Sequence, residues 1–478
     1  MSATRRHPAA LPFLALTEMW ERFGFYVVQG ILMLYLTKAL GFSDSEGYSL
    51  TGAFSALAYI APMLGGIVAD RLLGFKPAVV WGGIFLIVGY ALLALPGTTL
   101  FYVGLATIIV GSGLFKSNVS TLLGALYAPG DTARESGFTL FYIGINIGVL
   151  LSGSSDLIRI HFGWHSVFTA ASVGLLIGLG IFSWGMMQGK MAYNHAVPLL
   201  QRKFFLRKPF LVFYCLILIG LLSVMLQTEA LGKWLLPLFG IGLVFFIFIF
   251  AYRQEAHERN NLMTLNILII SSVIFWAIFL QMFFSVTLFI DRLVDKQVLG
   301  LSIPTTEFYP LESIFVILLG PIFAWSWQTL NHANKNPSTF LKFVFAIAAL
   351  GVAFLVLALS TLFPDANNLI SPWWVVFAYF LFTLGEMLLY PIGLSAVTLL
   401  SPPRLTGMMM GIWFVSLGYG GQFAGMLAKI ASIPEGIQNP ASQLPIYQHA
   451  FLIYALLAFV VAIILFAVQA LVKKSLRE

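Results

Sequence analysis

Residues 11–36 read LPFLALTEMWERFGFYVVQGILMLYL, a hydrophobic stretch long enough to cross a membrane that carries three charged residues. An ionised side chain at bilayer depth costs from about 3 to over 10 kcal/mol, so these three must face protein or water and compensate one another. Glu18, Glu21 and Arg22 are spaced i, i+3 and i+4, which brings both carboxylates within reach of one guanidinium on a helix. The stretch therefore predicts a membrane helix with a charge cluster on one face.

The composition predicts the same class of protein. Hydrophobic residues make up 59% of the 478 residues, charged residues only 9%, and the mean hydropathy is +0.92. A soluble globular domain carries about 25% charged residues. Repeated apolar runs of about 20 residues fit membrane helices. A single cysteine, Cys215, excludes an internal disulfide and a cysteine-rich metal site. We predict an all-α integral membrane protein.

Hydropathy predicts about fourteen spans, and the basic residues orient them. Most of the 26 lysines and arginines fall in loops on the side that also holds both termini. The positive-inside rule places that side in the cytoplasm. This distribution accounts for the net charge of +7 without a nucleic-acid partner. The predicted spans are 12–38, 51–71, 77–96, 99–122, 136–160, 165–187, 209–228, 234–252, 264–290, 308–328, 340–362, 372–399, 406–430 and 448–471.

The loop after the second span resembles a signature of the major facilitator superfamily. It reads GGIVADRLLGFK at 65–76, and the resemblance implies that Asp70 and Arg71 latch one conformational state. An ordinary charged helix end is the alternative. The fold expected from this resemblance is two six-helix bundles plus an extra two-helix hairpin. We predict an N-terminal bundle at 1–190, the insertion hairpin with basic linkers at 191–260, and a C-terminal bundle at 261–478.

Three further ionisable residues lie within predicted spans and away from the span ends. Lys116 occurs in GSGLFKSNVSTLLG, and Glu386 in LFTLGEMLLYPIGLS, while Glu312 lies about four residues into its span. Each must line a cavity or pair across it. A pair between Lys116 and Glu386 would join the two halves, and protonation of the glutamate would release it. A static structural ion pair is the alternative for each residue taken alone.

Four motifs together resemble the proton-dependent oligopeptide transporter family, in its bacterial members. They are Glu18-x-x-Glu21-Arg22-Phe23 in the first span, GLFKSN at 113–118, Phe141-Tyr142-x-x-Ile145-Asn146-x-Gly148, and GEMLLYPIGLS at 385–395. The extra hairpin after the sixth helix also resembles that family.

The resemblance implies symport of di- and tripeptides with protons, across the bacterial cytoplasmic (inner) membrane and by alternating access. It implies no cofactor apart from the proton as coupling ion, no metal, and a monomeric transport unit in the lipid bilayer. The residues it assigns to proton coupling are Glu18, Glu21, Arg22, Lys116 and Glu386. Those expected to contact the peptide are Tyr26, Gln29, Tyr59, Lys116, Tyr142, Asn146, Trp276, Gln281, Glu312, Glu386 and Trp413.

The chain departs from the family pattern at three positions. Gln29 and Leu280 stand where many members carry an arginine and an acid that pair with each other, so that gate pair is absent. Leu311-Glu312-Ser313 stands where members typically read Leu-Asn-Pro. We hypothesise that Glu312 favours substrates with an additional positive charge or supplies a second protonation site. The alternative is that Glu312 simply reaches water near the periplasmic end of its span.

Other functions receive less support from the residues. A proton-coupled transporter of a non-peptide or cationic amine-bearing substrate is the main alternative. The intact Glu-x-x-Glu-Arg motif argues against a proton-independent facilitator, and Glu312 argues against an anion as substrate. A sensor or scaffold has little sequence support, and the scattered histidines lack metal-ligand spacing, which argues against an enzyme.

Overall fold

The structure is a computed structural model that describes residues 7–69, 73–127, 133–191, 208–228, 234–298, 300–402 and 405–475. A short antiparallel hairpin, β1 (Gln297–Val298) with β2 (Leu301–Ser302), accompanies the helices. The α-helices are α1 Leu11–Lys38, α2 Asp44–Val68, α3 Phe75–Leu93, α4 Thr98–Ala125, α5 Ala133–Ser152, α6 Ser155–Phe162, α7 Trp164–Met187, α8 Lys208–Gln227, α9 Leu236–Tyr252, α10 Ala256–Phe279, α11 Ser285–Leu293, α12 Leu311–His332, α13 Thr339–Ser360, α14 Pro372–Leu400, α15 Thr406–Ala428 and α16 Pro440–Ser475.

The helices agree with the predicted membrane spans. Within the described ranges, ten helical segments are long and apolar enough to cross a membrane, and α8 and α9 are shorter apolar helices. Two long helices remain, α1, whose charged residues lower its hydropathy, and α15. Together these segments correspond in order to the fourteen spans expected from hydropathy. The prediction of an all-α integral membrane protein is confirmed.

Contacts divide the chain into two compact units, and the first consists of Met1–Leu32 and Leu57–Glu229. Within it, α3 packs tightly on α4 because glycines face each other. A Cβ at Gly82 would meet the carbonyl oxygen of Gly111 at 2.9 Å, which leaves no room for a side chain. Small residues at membrane-helix interfaces allow this close approach. α7 also packs on α3, where the Ser172 hydroxyl donates to the Ile87 carbonyl at 3.0 Å.

The first helix is held in this unit by α5 and α7. A Cβ at Gly144 of α5 would lie 2.8 Å from the Ala15 carbonyl, and Gly148 faces the Met19 carbonyl in the same way. From α1, the Thr17 hydroxyl lies 3.2 Å from the Gly178 carbonyl of α7. These contacts fix the rotation of α1 and so determine where its charged face points.

The second unit consists of Met33–Ala56 and Ala230–Glu478, so it includes the end of α1 and the start of α2. α13 packs on α14 and α16. α10 packs on α15, where the hydroxyls of Ser272 and Ser416 lie 2.7 Å apart. Next to these helices, Gly425 of α15 lies against the Tyr48 carbonyl and Gly52 of α2.

The two helices of the predicted insertion fall in different units. α8 belongs to the first unit, where it packs on α4, and α9 belongs to the second. Two polar contacts hold α9: Asn266 of α10 donates to the Ile247 carbonyl at 2.9 Å, and the Tyr419 hydroxyl of α15 donates to the Leu236 carbonyl at 3.0 Å. The division at 1–190, 191–260 and 261–478 follows the chain rather than these contacts and stays a prediction.

Candidate functional site

The charged residues of α1 form a buried cluster in the first unit. The Arg22 Nε atom lies 3.1 Å from Glu18 Oε1, and Arg22 Nη2 pairs with Glu21 Oε2. Exposure is 2% for Glu18, 0% for Glu21 and 3% for Arg22. The i, i+3, i+4 spacing therefore produces the geometry expected from the sequence. Breaking a buried ion pair on one side leaves an uncompensated charge, which makes the cluster sensitive to any change in its charge.

Lys116 of α4 lies beside this cluster at a less buried position. Its Nζ atom is 4.4 Å from the centre of the Tyr59 ring and 5.4 Å from that of Phe25, within the range of cation–π attraction. It also interacts electrostatically with Glu18, Glu21 and Arg22.

Tyr26 and Tyr59 border the same region. Both interact electrostatically with Arg22. Like Lys116, both tyrosines are only half-buried. Lys116 and the two tyrosines therefore form the more accessible edge of the cluster, whereas its carboxylates are buried.

Three other residues of the first unit that are predicted to contact the peptide differ in how deeply they are buried. Gln29 is 1% exposed, whereas Tyr142 of α5 is 42% exposed. Asn146 is buried, and its amide donates to the Tyr142 carbonyl of its own helix at 2.9 Å. The Asn146 side chain is thus bonded to its own helix in this structure, and its predicted contact with a peptide stays a prediction.

The second unit brings Glu312 and Glu386 together. Glu312 lies in the first turn of α12 and Glu386 near the middle of α14, and the two carboxyl groups interact electrostatically. Both residues are half-buried. Their pairing was not foreseen from the sequence, which treated Glu386 only as a partner of Lys116. Lys116 and Glu386 belong to different units, and their pairing stays a prediction.

The two tryptophans expected to wall the substrate pocket are both buried. Trp276 of α10 is 4% exposed and packs edge-on against Tyr390 of α14, with ring centres 5.9 Å apart. Trp413 of α15 is completely buried against Gly393 and Phe343. In this structure, then, the indole of Trp413 belongs to the interface between helices rather than to an accessible surface.

Gln281 also makes packing contacts. Its amide nitrogen donates to the Ala424 carbonyl of α15 at 2.8 Å, and its carbonyl oxygen accepts from the Ser285 hydroxyl at 2.7 Å. The residue is completely buried. These bonds join the segment after α10 to α15.

An ionic network that the sequence did not predict lies at the junction of α1 and α2 in the second unit. Arg292 makes two parallel hydrogen bonds of 2.7 Å to Asp44, the bidentate geometry of a strong charge-assisted contact. The Ile433 backbone N–H also donates to Asp44 at 3.0 Å. Nearby, Lys38 pairs with Asp291 at 2.6 Å.

Little in the sequence predicts this network. Arg292 follows Asp44 by 248 positions, and neither residue belongs to a motif. The only available signal was the presence of opposite charges near the ends of neighbouring spans. Asp70 and Arg71, the predicted latch, lie outside the described residues, so that assignment stays a prediction.

Comparisons with known proteins agree on one family. A model described as the POT family matches residues 76–444. Peptide transporter YePEPT of Yersinia enterocolitica is 34% identical over 447 residues, which is 88% of this chain and 87% of that protein. Dipeptide and tripeptide permease B of Salmonella typhimurium is 32% identical over 465 residues, covering 96% of this chain and 94% of the relative.

Solved structures give the same result. A crystal structure of a peptide transporter POT in complex with sulfate matches with a TM-score of 0.86 and 28% identity, over 98% of this chain and 96% of that one. A structure from work on substrate recognition in proton-dependent oligopeptide transporters matches with a TM-score of 0.84 and 29% identity, over 97% and 99%. The fold described above is thus shared along nearly the whole chain.

Proposed function

Because the chain belongs to the POT family, we propose that it takes up di- and tripeptides together with protons by alternating access. Members of this family are transporters, so the expected family is confirmed, as is the expectation that the chain is not an enzyme. The observation that carries the proposal is the buried cluster of Glu18, Glu21 and Arg22 with Lys116 at its accessible edge. Such groups are expensive in a membrane and serve transport in most proteins that keep them there.

Charge balance within the cluster supports coupling between proton and peptide. Glu18 and Glu21 carry two negative charges when ionised, and Arg22 and Lys116 carry two positive charges. A peptide carboxylate that binds Lys116 adds one negative charge. Uptake of one proton by Glu18 or Glu21 would cancel it, so the buried cluster favours binding both together. The membrane potential then contributes about 2.3 kcal/mol per 100 mV for each net charge carried inward.

Recognition of the peptide would use its main chain more than its side chains. Lys116 would contact the carboxylate, and the half-buried rings of Tyr26 and Tyr59 would border the peptide backbone. The ammonium group of the peptide would be attracted by a carboxyl group, and Glu386 is among the residues that the family motifs assign to the substrate. A site that binds the two termini of the peptide and surrounds its side chains with aromatic residues accepts peptides of many sequences.

The setting we propose is the bacterial cytoplasmic membrane, with both termini in the cytoplasm and a monomer as the transport unit. The apolar helices make the chain a multi-pass membrane protein. The excess of lysine and arginine in loops on one side supports the orientation.

A cationic amine-bearing substrate is the second candidate. Glu312 and Glu386 favour it, since two acids at one position attract positive charge more strongly than one acid and an amide would. A lysine-containing dipeptide would be a substrate under both proposals. A simple amine without a peptide bond would be a substrate only under the second.

Uptake into proteoliposomes tests the proposal. With an inward proton gradient, we expect a labelled dipeptide to accumulate above its external concentration and an uncoupler to abolish this accumulation. Glu21→Gln and Lys116→Ala should abolish accumulation while exchange of dipeptide across the membrane survives. Glu435→Gln, at an exposed loop position, is the matched control. Undiminished accumulation in both Glu21→Gln and Lys116→Ala would refute this coupling path.

A further inference from the structure

Tyr90 of α3 is completely buried and packs directly on the first helix, within the same unit. A Cβ at Gly24 of α1 would lie 2.8 Å from the Tyr90 Cε2 atom and 3.2 Å from its hydroxyl oxygen. Any side chain at position 24 would therefore collide with the ring, and glycine allows the end of the phenol to reach the backbone of α1. The contact places a hydroxyl group beside the helix turn that carries the charge cluster.

The Tyr90 hydroxyl and the Oε1 atom of Glu21 are both buried, and neither has a hydrogen-bond partner among the described residues. The other carboxylate oxygen of Glu21 is paired with Arg22. A buried phenol without a partner is less favourable than a phenylalanine, which fills the same space and has no polar atom to satisfy. A phenol hydroxyl can donate and a carboxylate oxygen can accept, so the two groups are complementary.

Helix geometry selects Glu21 rather than Glu18 as the acid that Tyr90 faces. Glu21 precedes Gly24 by three positions, and residues at this spacing lie on one face with Cβ atoms about 5–6 Å apart. Glu18 precedes Gly24 by six positions, which turns it about 120° away from that face. Tyr90 also interacts electrostatically with Glu21.

The remaining groups around Glu21 determine the charge of the site. Those that are charged or titratable belong to the α1 cluster and its accessible edge, namely Glu18, Arg22, Tyr26, Tyr59 and Lys116. α5 and α7 contact this part of α1 through Gly148 and Gly174, which add no charge. A change at Tyr90 therefore alters the surroundings of Glu21 without altering the net charge of the cluster.

We propose that Tyr90 is a positioning residue for proton coupling, whose hydroxyl donates a hydrogen bond to the free carboxylate oxygen of Glu21 and so favours the ionised form of this acid. The two atoms are not bonded in this structure, so a rotation of the Glu21 side chain brings them together. The importance of Tyr90 for transport rests on the proposed function, whereas its effect on Glu21 exists without substrate.

An infrared titration of the purified full-length protein without substrate tests the proposal. The carbonyl stretch of protonated Glu21 is the band that Glu21→Gln removes, and its area is followed as the pH changes. In Tyr90→Phe the midpoint should lie about one pH unit higher than in the native protein, because a hydrogen bond to a charged group contributes about that much. Tyr48→Phe is the matched control, since Tyr48 is completely buried and its hydroxyl also lacks a partner among the described residues, but it belongs to the second unit.

The midpoint in Tyr48→Phe should equal that of the native protein. An unchanged or lower midpoint in Tyr90→Phe would overturn the proposal, as would an equal shift in the control or a Glu21 band that titrates in neither protein. If Tyr90→Phe does not fold, Gly24→Ala replaces it, because the added methyl group displaces the ring and should give the same upward shift. Dipeptide accumulation measured in parallel is a separate readout: a shifted midpoint without proton-driven accumulation would support the role of Tyr90 and refute the proposed function.

Discussion

In the first unit, Glu18 and Glu21 have Arg22 between them, whereas in the second unit Glu312 and Glu386 have each other as partners. The first pair is buried, whereas the second is half-buried. The first contains a cation that is covalently part of the chain, whereas no salt bridge to a cation is found for the second among the described residues. An arginine keeps its charge across the physiological pH range, whereas the charge of two acids without a cation depends on their protonation. The comparison separates acids that have a built-in counter-charge from acids that lack one among the described residues.

Removal of the fixed cation should have the largest effect. Arg22→Met leaves two buried carboxylates without a partner, and we expect a loss of about 3–5 kcal/mol in the free energy of unfolding. The melting temperature of the purified protein in detergent measures this loss. The triple variant Arg22→Met/Glu18→Gln/Glu21→Gln, which removes all three charges, should regain part of it. An unchanged melting temperature in Arg22→Met would show that the acids are already neutral and that the contrast with the carboxyl pair is false.

The Asp44–Arg292 pair tests whether a fixed cation is equally important in the second unit. The Arg292 side chain is 25% exposed, so Arg292→Gln should cost less than the change at Arg22, about 1–3 kcal/mol. The same melting measurement applies. Lys296→Gln is the comparison, because the Lys296 ammonium group lies 3.8 Å from the Asp291 carboxylate, donates to the Asp291 carbonyl at 2.8 Å and is more exposed than Arg292. An equal change in both variants would remove any special role for the bidentate contact.

The carboxyl pair should affect selectivity more than stability. In Glu312→Gln, one acid is replaced by a neutral group of the same shape, and attraction for a positively charged side chain falls. We expect the preference for a lysine-containing over a glutamate-containing dipeptide to fall about tenfold, equivalent to about 1.4 kcal/mol. Competition for uptake of a labelled neutral dipeptide measures the ratio. Identical rankings in native protein and Glu312→Gln would end the idea that this acid selects substrates.

The smallest expected effect concerns the aromatic partner of Lys116. Tyr59→Leu removes the ring face next to the ammonium group and should cost about 0.5–1 kcal/mol, a two- to fivefold rise in the half-saturating dipeptide concentration. Tyr59→Phe keeps the ring and should change this concentration less. Equal effects of the two substitutions would assign the role to the hydroxyl group instead of the ring.

Local pattern in the sequence was sufficient for the helices and for the α1 cluster. Apolar runs give the spans because water is absent from the bilayer core and the backbone must satisfy its own hydrogen bonds there. The contact of Arg22 with two acids follows from helical spacing alone, since all three residues belong to one turn.

Contacts between distant helices could not be read in the same way. Glu312 and Glu386 lie on separate helices, as do Asp44 and Arg292, and no periodicity links them. The burial of Trp413 likewise depends on Gly393 of another helix. A residue type shows that a polar or aromatic group needs a partner, but only the packing of the helices identifies it.

The glycines at 144 and 148 give the interface between α5 and α1 a smooth surface, because backbone meets backbone there. Helices that interlock through large side chains are held in one register by ridges and grooves, and these two positions have neither. A small sliding of α1 along α5 would therefore require little repacking, in the manner of shear motions between packed helices. The absence of side chains at these two glycines would thus allow the charged face of α1 to shift along α5 without a change in side-chain packing.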